Sequence, residues 1–453
     1  MDQRRLTPIA APCALAALGI GACAALWTTW LARPGEEWAR VFLRGYAPAW
    51  VCYLLAAIVV TRARSLPRWA LIWIVMLALG MRMIALAHTP ELSTDVHRYL
   101  WDGRVSNAGV NPFAYAPDAP ELRALRNGDW QQINFKEVPT LYPPFGQMLF
   151  AALARARDSD TEAFRWAFAL FDLGSVLLLI ALLRRTGRPA EGAIWYAWCP
   201  LPVTEVTGGA HLDSFALFML LVALMVMART DTKGSAVTGL ALAGAVMAKG
   251  YAILTAPFFI RRGGWRLAMP CVIGCAVLLA PYAPVGNKLF AGLKYYLDGW
   301  ETNSSAFLLL DWSLMRVTEN HFSITRAISV GTVTMVIALL AWRLKPGLEP
   351  LLRASFLALG AQLLFGAPTL PWYSIWAVPA LCWWRIPGLA LFTLTASMQY
   401  YARWLYPSND AAYHRLLWAG YLPVYALLIA QLSWWAASRR RSTSSHSSMN
   451  SMV

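Results

Sequence analysis

The spacing of its charges limits what this chain can fold into more than any other feature. Apolar runs of about 20 residues, enough at 1.5 Å each to cross ~30 Å of hydrocarbon, recur from one end to the other. The stretch FALFDLGSVLLLIALL at 168–183 is one of them, and the basic RRTGRP follows it directly. Of the 453 residues 58% are hydrophobic and only 14% charged, whereas soluble domains carry about a quarter charged. A backbone in lipid must satisfy its own hydrogen bonds, which leaves helices as the economical solution. The sequence therefore predicts an all-α polytopic membrane protein with 13–14 membrane helices. They are expected near 9–31, 46–62, 69–88, 163–183, 190–208, 212–228, 235–248, 251–260, 267–285, 324–342, 351–366, 372–384, 387–403 and 415–436.

The formal charge of +15 could suggest nucleic acid, but the Lys and Arg sit in short clusters between apolar runs, where they set orientation. The basicity is topological. With Arg4 and Arg5 cytoplasmic, alternation places TRARSLPR, RRTGRP, ARTDTK, RRGGWR, WRLKPG and SRRR on the same side, provided that 235–260 is a broken pair interrupted at Lys249-Gly250. One full crossing there would reverse every later cluster. All seven Cys lie inside apolar runs, so a disulfide or zinc framework is not expected.

Four regions follow: N-terminal membrane helices (1–88), an extracytoplasmic loop (89–161), a helix bundle (162–437) with a second outer loop (286–322), and a Ser-rich cytoplasmic tail (438–453) read as disordered. Every cytoplasmic loop is short, so the chemistry is expected on the extracytoplasmic side.

The first outer loop carries an unusual load of charge, STDVHRYLWDGRVSNAGVNPF at 93–113. Ser93 and Thr94 favour a helix start, and Gly109 with Asn111-Pro112 favours a stop, which predicts a helix over 95–107. At 100° per residue Asp95, Arg98, Tyr99 and Asp102 share one arc, while Val96, Leu100 and Arg104 face the other way. Such a helix could lie on the membrane surface with its carboxylates turned into a cavity. A metal site from Asp95, His97 and Asp102 is disfavoured, because Asp95 and His97 diverge on a helix; a divalent metal is left open, with no cofactor required.

More polar residues gather on the same side. Glu205, His211 and Asp213 straddle an outer turn, Lys249 marks the break, Trp300, Glu301 and Asn303 lie in the second outer loop, and Trp372 and Tyr373 sit at an outer helix mouth. Ionisable groups at membrane depth cost roughly 2.5–3.5 kcal/mol on insertion scales and point to function. Each also has a plainer reading. Asp213 could cap the next helix, Lys249 could snorkel to the interface, and the aromatics could belong to an interfacial belt. Asp172 is expected to be a structural polar contact between helices.

An outward cavity holding carboxylates and cations at headgroup level suits a lipid phosphate linked to a sugar. A carboxylate can take the acceptor's proton while cations stabilise the departing phosphate. The segments TDVHRYLWDGRVSNAGVNPFAYAP, TLYPP, GGAHLD, AKGYAILTAPF, DGWETNS and PTLPWY resemble, in order and sidedness, the GT-C fold glycosyltransferases that use polyprenyl-phosphate sugars, especially bacterial mannosyltransferases. The resemblance implies an inverting transfer, with mannose favoured, from a polyprenyl-phosphate sugar donor to a glycolipid, glycan or protein acceptor. It makes Asp95 the general base, with Asp102 in reserve. It also places Arg98, Arg104, Tyr142, His211, Asp213, Lys249, Trp300, Asn303, Trp372 and Tyr373 around the substrates. Two features depart from the family pattern: Thr94 precedes Asp95 where many members have a second acid, and two extra segments precede the loop. A lipid-linked sugar flippase or transporter is the alternative of a different class, since broken segments and buried charge are also transporter features.

The charge pattern predicts that a Ser93→Cys variant, in intact cells, reacts with a membrane-impermeant maleimide added from outside. Labelling only after the membrane is opened would place this loop in the cytosol.

Overall fold

The computed structural model describes residues 10–29, 31, 38–63, 65–88, 92–156, 160–230, 234–405 and 410–449. Arg4, Arg5 and the last four residues of the Ser-rich tail lie outside them. Among the described residues all named elements are helical. The principal helices are α1 (Ala10–Thr29), α2 (Trp38–Arg62), α3 (Trp69–Leu86), α4 (Asp95–Asn107), α5 (Pro144–Ala156), α6 (Glu162–Arg185), α7 (Asp213–Arg229), α8 (Ala236–Ala248), α9 (Trp265–Leu279), α10 (Ala291–Gly299), α11 (His321–Trp342), α12 (Leu348–Phe365) and α13 (Asp410–Met449). The last of these runs well into the stretch read as a tail.

Eight helices among the described residues are long and apolar enough to cross a membrane, or nine if a bent pair counts as one span. The protein is thus a multi-pass membrane protein with fewer full-length spans than the 13–14 expected. The difference has a local cause. The stretches 190–208, 251–260 and 372–384 are apolar but studded with Pro200, Pro202, Pro257, Pro371 and Pro379, and they fold as short turns of 3-10, α or π helix. Proline removes an N–H and clashes with the preceding turn, so apolar character alone does not yield a continuous helix. The segment near 387–403 is split into Pro387–Thr395 and Met398–Leu405. Helix α8 has only 13 residues, and α7 forms the bent pair with Pro200–Gly208 at 119°.

These irregular stretches are tolerated because protein surrounds them. Residues 193–217 and 366–383 are buried throughout, as non-helical backbone at membrane depth requires. Trp195, Tyr196, Trp198, Ile375, Trp376 and Leu381 belong to the main hydrophobic core.

Two buried arginines fix the framework. Arg82 of α3 donates through Nε to Asp172 Oδ2 of α6 at 2.8 Å and also to the Ala197 carbonyl. The Tyr196 hydroxyl donates to Asp172 Oδ1 at 2.5 Å. Asp172 is therefore the interhelical contact the sequence suggested. Arg165 of α6 donates to the carbonyls of Ala85 (2.7 Å) and His88 at the end of α3, and to that of Thr207 (3.4 Å). It caps orphan helix carbonyls and ties the start of the first outer loop to the broken stretch around 203–208.

Removing one partner of a buried ion pair leaves the other charge uncompensated, at about 3–5 kcal/mol. Asp172→Ala is therefore expected to lower the thermal unfolding temperature in detergent sharply, and Arg82→Leu/Asp172→Leu to recover much of the loss. A single variant as stable as the parent would contradict this role.

Candidate active site

Helix α4 spans the residues expected, from Asp95 to Asn107, but it is not a helix with one bare face. Both arcs are covered: Tyr99 and Asp102 are buried, and so are Val96 and Leu100. Gly103 permits this. A Cβ there would stand 2.3 Å from the Phe150 carbonyl of α5, so the two helices touch backbone to side-chain-free backbone. Tyr99 stacks on Phe150 (4.6 Å) and meets Tyr142 edge-on (5.0 Å).

The charges on α4 separate into two sets. Arg98 Nε donates to Asp102 Oδ1 at 2.9 Å and its Nη2 to the Val138 carbonyl at 3.0 Å. Gln147 Nε2 donates to Asp102 Oδ2 at 3.1 Å. Asp102 and Arg98 thus form a buried cross-link that carries the returning strand of the loop. On the outer side His97 Nδ1 and Arg104 Nη2 converge on Asp129 at 3.3 and 3.4 Å, which takes Arg104 away from the position expected of it. Asp95 is half-exposed at the first position of α4, where the helix dipole favours an anion. Its backbone N–H donates to Ser93 Oγ at 3.2 Å. Burial and then the Asp95 charge push the Tyr142 phenol well above its ordinary range. Tyr99 is raised likewise by burial, then by Tyr142, Asp95 and Asp213. Both phenols stay protonated at physiological pH, so a carboxylate is the natural base here.

Tyr99 also meets Phe168 of α6 edge-on at 6.0 Å, so the loop packs on the bundle at this ring. Lys249 is extended (φ −158, ψ 129) between α8 and the 3-10 turn Gly250–Thr255, so the break is where the sequence placed it. Its Nζ donates to Asp213 Oδ2 at 2.6 Å and sits 5.0 Å above the Tyr373 ring. Asp213 Oδ1 accepts from Trp376 Nε1 at 2.8 Å. The start of α5 reaches the same place, since a Cβ on Gly146 would lie 3.1 Å from the Ala248 carbonyl. Asp213, Lys249, Tyr373 and, through α5, Tyr142 therefore converge.

Beside them is a second polar group that the sequence only partly revealed. His211 Nδ1 lies 2.7 Å from the Glu205 carbonyl, which can only accept, so Nδ1 carries the proton. The His211 ring stacks on Trp372 at 3.9 Å. Glu205 Oε2 accepts from the Tyr400 hydroxyl at 2.7 Å. Among the described residues His211 Nε2 and Glu205 Oε1 are buried and meet no hydrogen-bond partner. Glu205 lies in the π-turn Val203–Gly208, a distortion common at functional sites. Ala210 next to it has φ +53. Tyr400 lies 195 residues away and carries no local signal, so Glu205's partner was not legible in advance.

The second outer loop closes the site. Asn303 has φ +51, donates to the Thr369 carbonyl at 2.7 Å, and its own carbonyl accepts from Tyr421 at 2.7 Å. A Thr302–Pro368 bridge lies alongside. Asn303 thus clamps the loop to residues 366–371, and it also lines a cavity with Gln399 and Tyr421. Trp300 stands toward the site: Tyr296 packs on it at 5.8 Å, and the Tyr296 hydroxyl meets those of Tyr373 (3.1 Å) and Tyr251 (3.4 Å). Burial raises the nearby Glu301 carboxyl, against the hydrogen bond from Ser304. Among the described residues no group of three or more His, Cys, Asp or Glu lies close enough together to hold a metal ion.

No curated protein matches the chain. A family profile does: that of the N-terminal domain of the α-(1→6)-mannopyranosyltransferases of the MptA/B family matches residues 9–262, more than half of the chain. The matched span holds α1 to α8, the first outer loop with Asp95, the bent pair ending in Asp213, and the Lys249 break. The chain therefore belongs to the MptA/B family and is a glycosyltransferase of the mannosyltransferase type.

Proposed function

We propose that the protein transfers mannose from a polyprenyl-phosphate donor to an acceptor hydroxyl on the extracytoplasmic face of the bacterial inner membrane, inverting the anomeric centre, with Asp95 as general base. The observation that carries this reading is the placement of Asp95. It stands partly exposed at the first position of a helix whose next turn, at Tyr99, packs on Tyr142 and Phe150 of the segment that reaches the Lys249 break through Gly146. In the proposed step the acceptor oxygen bonds to the anomeric carbon as the bond to the phosphate oxygen breaks. The acceptor proton passes to Asp95 and the electron pair leaves with the lipid phosphate. On a β-linked donor, inversion gives the α linkage.

An ammonium has three donors, and Asp213 occupies one of Lys249's, which leaves Lys249 able to meet a phosphate. Asp213 and the Tyr373 face hold it in place. His211 Nε2 and Glu205 Oε1 are acceptors suited to sugar hydroxyls once the pocket opens around a donor. Arg98 and Asp102 act indirectly, by fixing α4 against the returning loop. Arg104 lies with Asp129 and is not assigned to the donor.

The direct test supplies a radiolabelled polyprenyl-phosphate mannose to purified enzyme in detergent, where no compartments exist. Transfer to an acceptor glycan is expected, and a flippase would give no product. Asp95→Asn should lower kcat by 10²–10⁴-fold, the usual contribution of a general base, with folding intact by thermal unfolding. Full turnover in Asp95→Asn would overturn the assignment. Asp102→Asn should act mainly on stability. Lys249→Ala should raise the donor KM, whereas an unaltered donor KM would remove Lys249 from the phosphate site.

A further inference from the structure

Both outer loops present aromatic rings that meet outside the buried site. Phe135 is 41% exposed and has φ +50, a left-handed conformation that aromatic residues rarely adopt and that costs of order 1–3 kcal/mol. The surrounding chain enforces it. Ile133 is buried in a small core with Trp101, Val105 and Leu122. Val138 is buried and its carbonyl is held by Arg98. Between them the Val138 N–H donates to the Phe135 carbonyl at 3.1 Å, and the Lys136 carbonyl accepts from the Asp118 N–H at 3.1 Å. A large apolar side chain is thus held rigidly outward between two buried anchors.

Trp300 comes to meet it from the second loop, with ring centroids 4.4 Å apart and planes inclined at 57°. Its own backbone is fixed: the N–H donates to the Tyr296 carbonyl at 3.2 Å and the carbonyl accepts from Arg326 at 3.2 Å. The loops approach closely because α10 has Gly292 at the contact, where a Cβ would stand 2.4 Å from the carbonyls of Pro139 and Thr140. From Trp300 the aromatic series continues inward through Tyr296 to Tyr373, and so to Lys249 and Asp213.

The geometry points to Phe135 and Trp300 as a joint acceptor platform, on which a pyranose ring of the acceptor glycan stacks with its reacting hydroxyl directed along the tyrosines toward the site at Lys249 and Asp213. The chemistry fits. Pyranoses present apolar C–H faces, rigid rings bind them with little loss of side-chain freedom, and a strained, exposed Phe persists only where its surroundings impose it. This deepens the transfer proposed above and rests on it.

The test uses α-(1→6)-linked mannotriose with the full-length protein in detergent. Phe135→Gly keeps the backbone conformation and removes the ring; Phe135→Trp keeps a ring. Phe135→Gly and Trp300→Ala are expected to raise the acceptor KM about tenfold, equivalent to one stacking contact, with the donor KM as in the parent, and Phe135→Trp to restore the acceptor KM. Saturation-transfer NMR should show mannotriose on the parent and lose it in Phe135→Gly. Equal acceptor KM and equal saturation transfer in parent and Phe135→Gly would overturn the platform. Mannotriose binding that depends on Phe135, without mannose transfer by the parent, would support the platform and overturn the donor reading instead.

Discussion

A backbone within hydrocarbon must keep every N–H and C=O paired, and this constraint decides where the protein can do chemistry. A continuous helix satisfies it but presents only side chains. A broken helix exposes termini and extended backbone, and is stable only where other protein encloses it. Here the breaks at 200–212 and 366–382 are enclosed, and the break at 249–255 packs against them through the buried Lys249, Ala252 and Thr255. Lys249 is extended because α8 ends there, Asp213 is the first residue after the sharp bend, and Trp372 to Trp376 form the turn packed between them.

Burial then governs the charges. An ion removed from water needs a partner with good geometry and further hydrogen bonds, and the inner ions meet that condition: Arg82 with Asp172, Arg98 with Asp102, Lys249 with Asp213. The first two have all-protein surroundings and hold the scaffold. The third opens toward a row of tyrosines and the outer loops. Asp95 differs from these carboxylates in being half-exposed at a helix start. The same residue type is thus locked into the scaffold in one place and left partly in solvent in another.

Much of this was legible in the sequence where local rules decide. The limits of α4 followed from Ser93-Thr94 and Gly109, and the break at Lys249 followed from alternating basic clusters. The structural role of Asp172 was also anticipated. Features set by tertiary packing were not. Periodicity shows that Val96 and Leu100 lie opposite Asp95, but not that both faces of α4 would be buried, since the small core around Trp101 and Leu122 forms only when residues 110–135 fold back. Arg104 looked like a phosphate ligand until Asp129, 25 residues on, took it. Apolar content overstated the number of spans because prolines divide apolar runs into turns. Glu205 drew attention by its depth, yet its partner Tyr400 is remote in sequence. Asn303 was expected to line a pocket, and the clamp that it also forms, through its left-handed backbone and its bond to Thr369, gave no local signal.

The central claim is that donor phosphate and base meet where the first outer loop packs on the Lys249 break. A cryo-electron-microscopy structure of the Asp95→Asn variant with a polyprenyl-phosphate mannose tests it most directly. The account predicts the phosphate within hydrogen-bond distance of Lys249 Nζ, with the anomeric carbon facing residue 95. A phosphate lodged against the basic cytoplasmic clusters, or against Arg104 and His97 on the far side of α4, would contradict it.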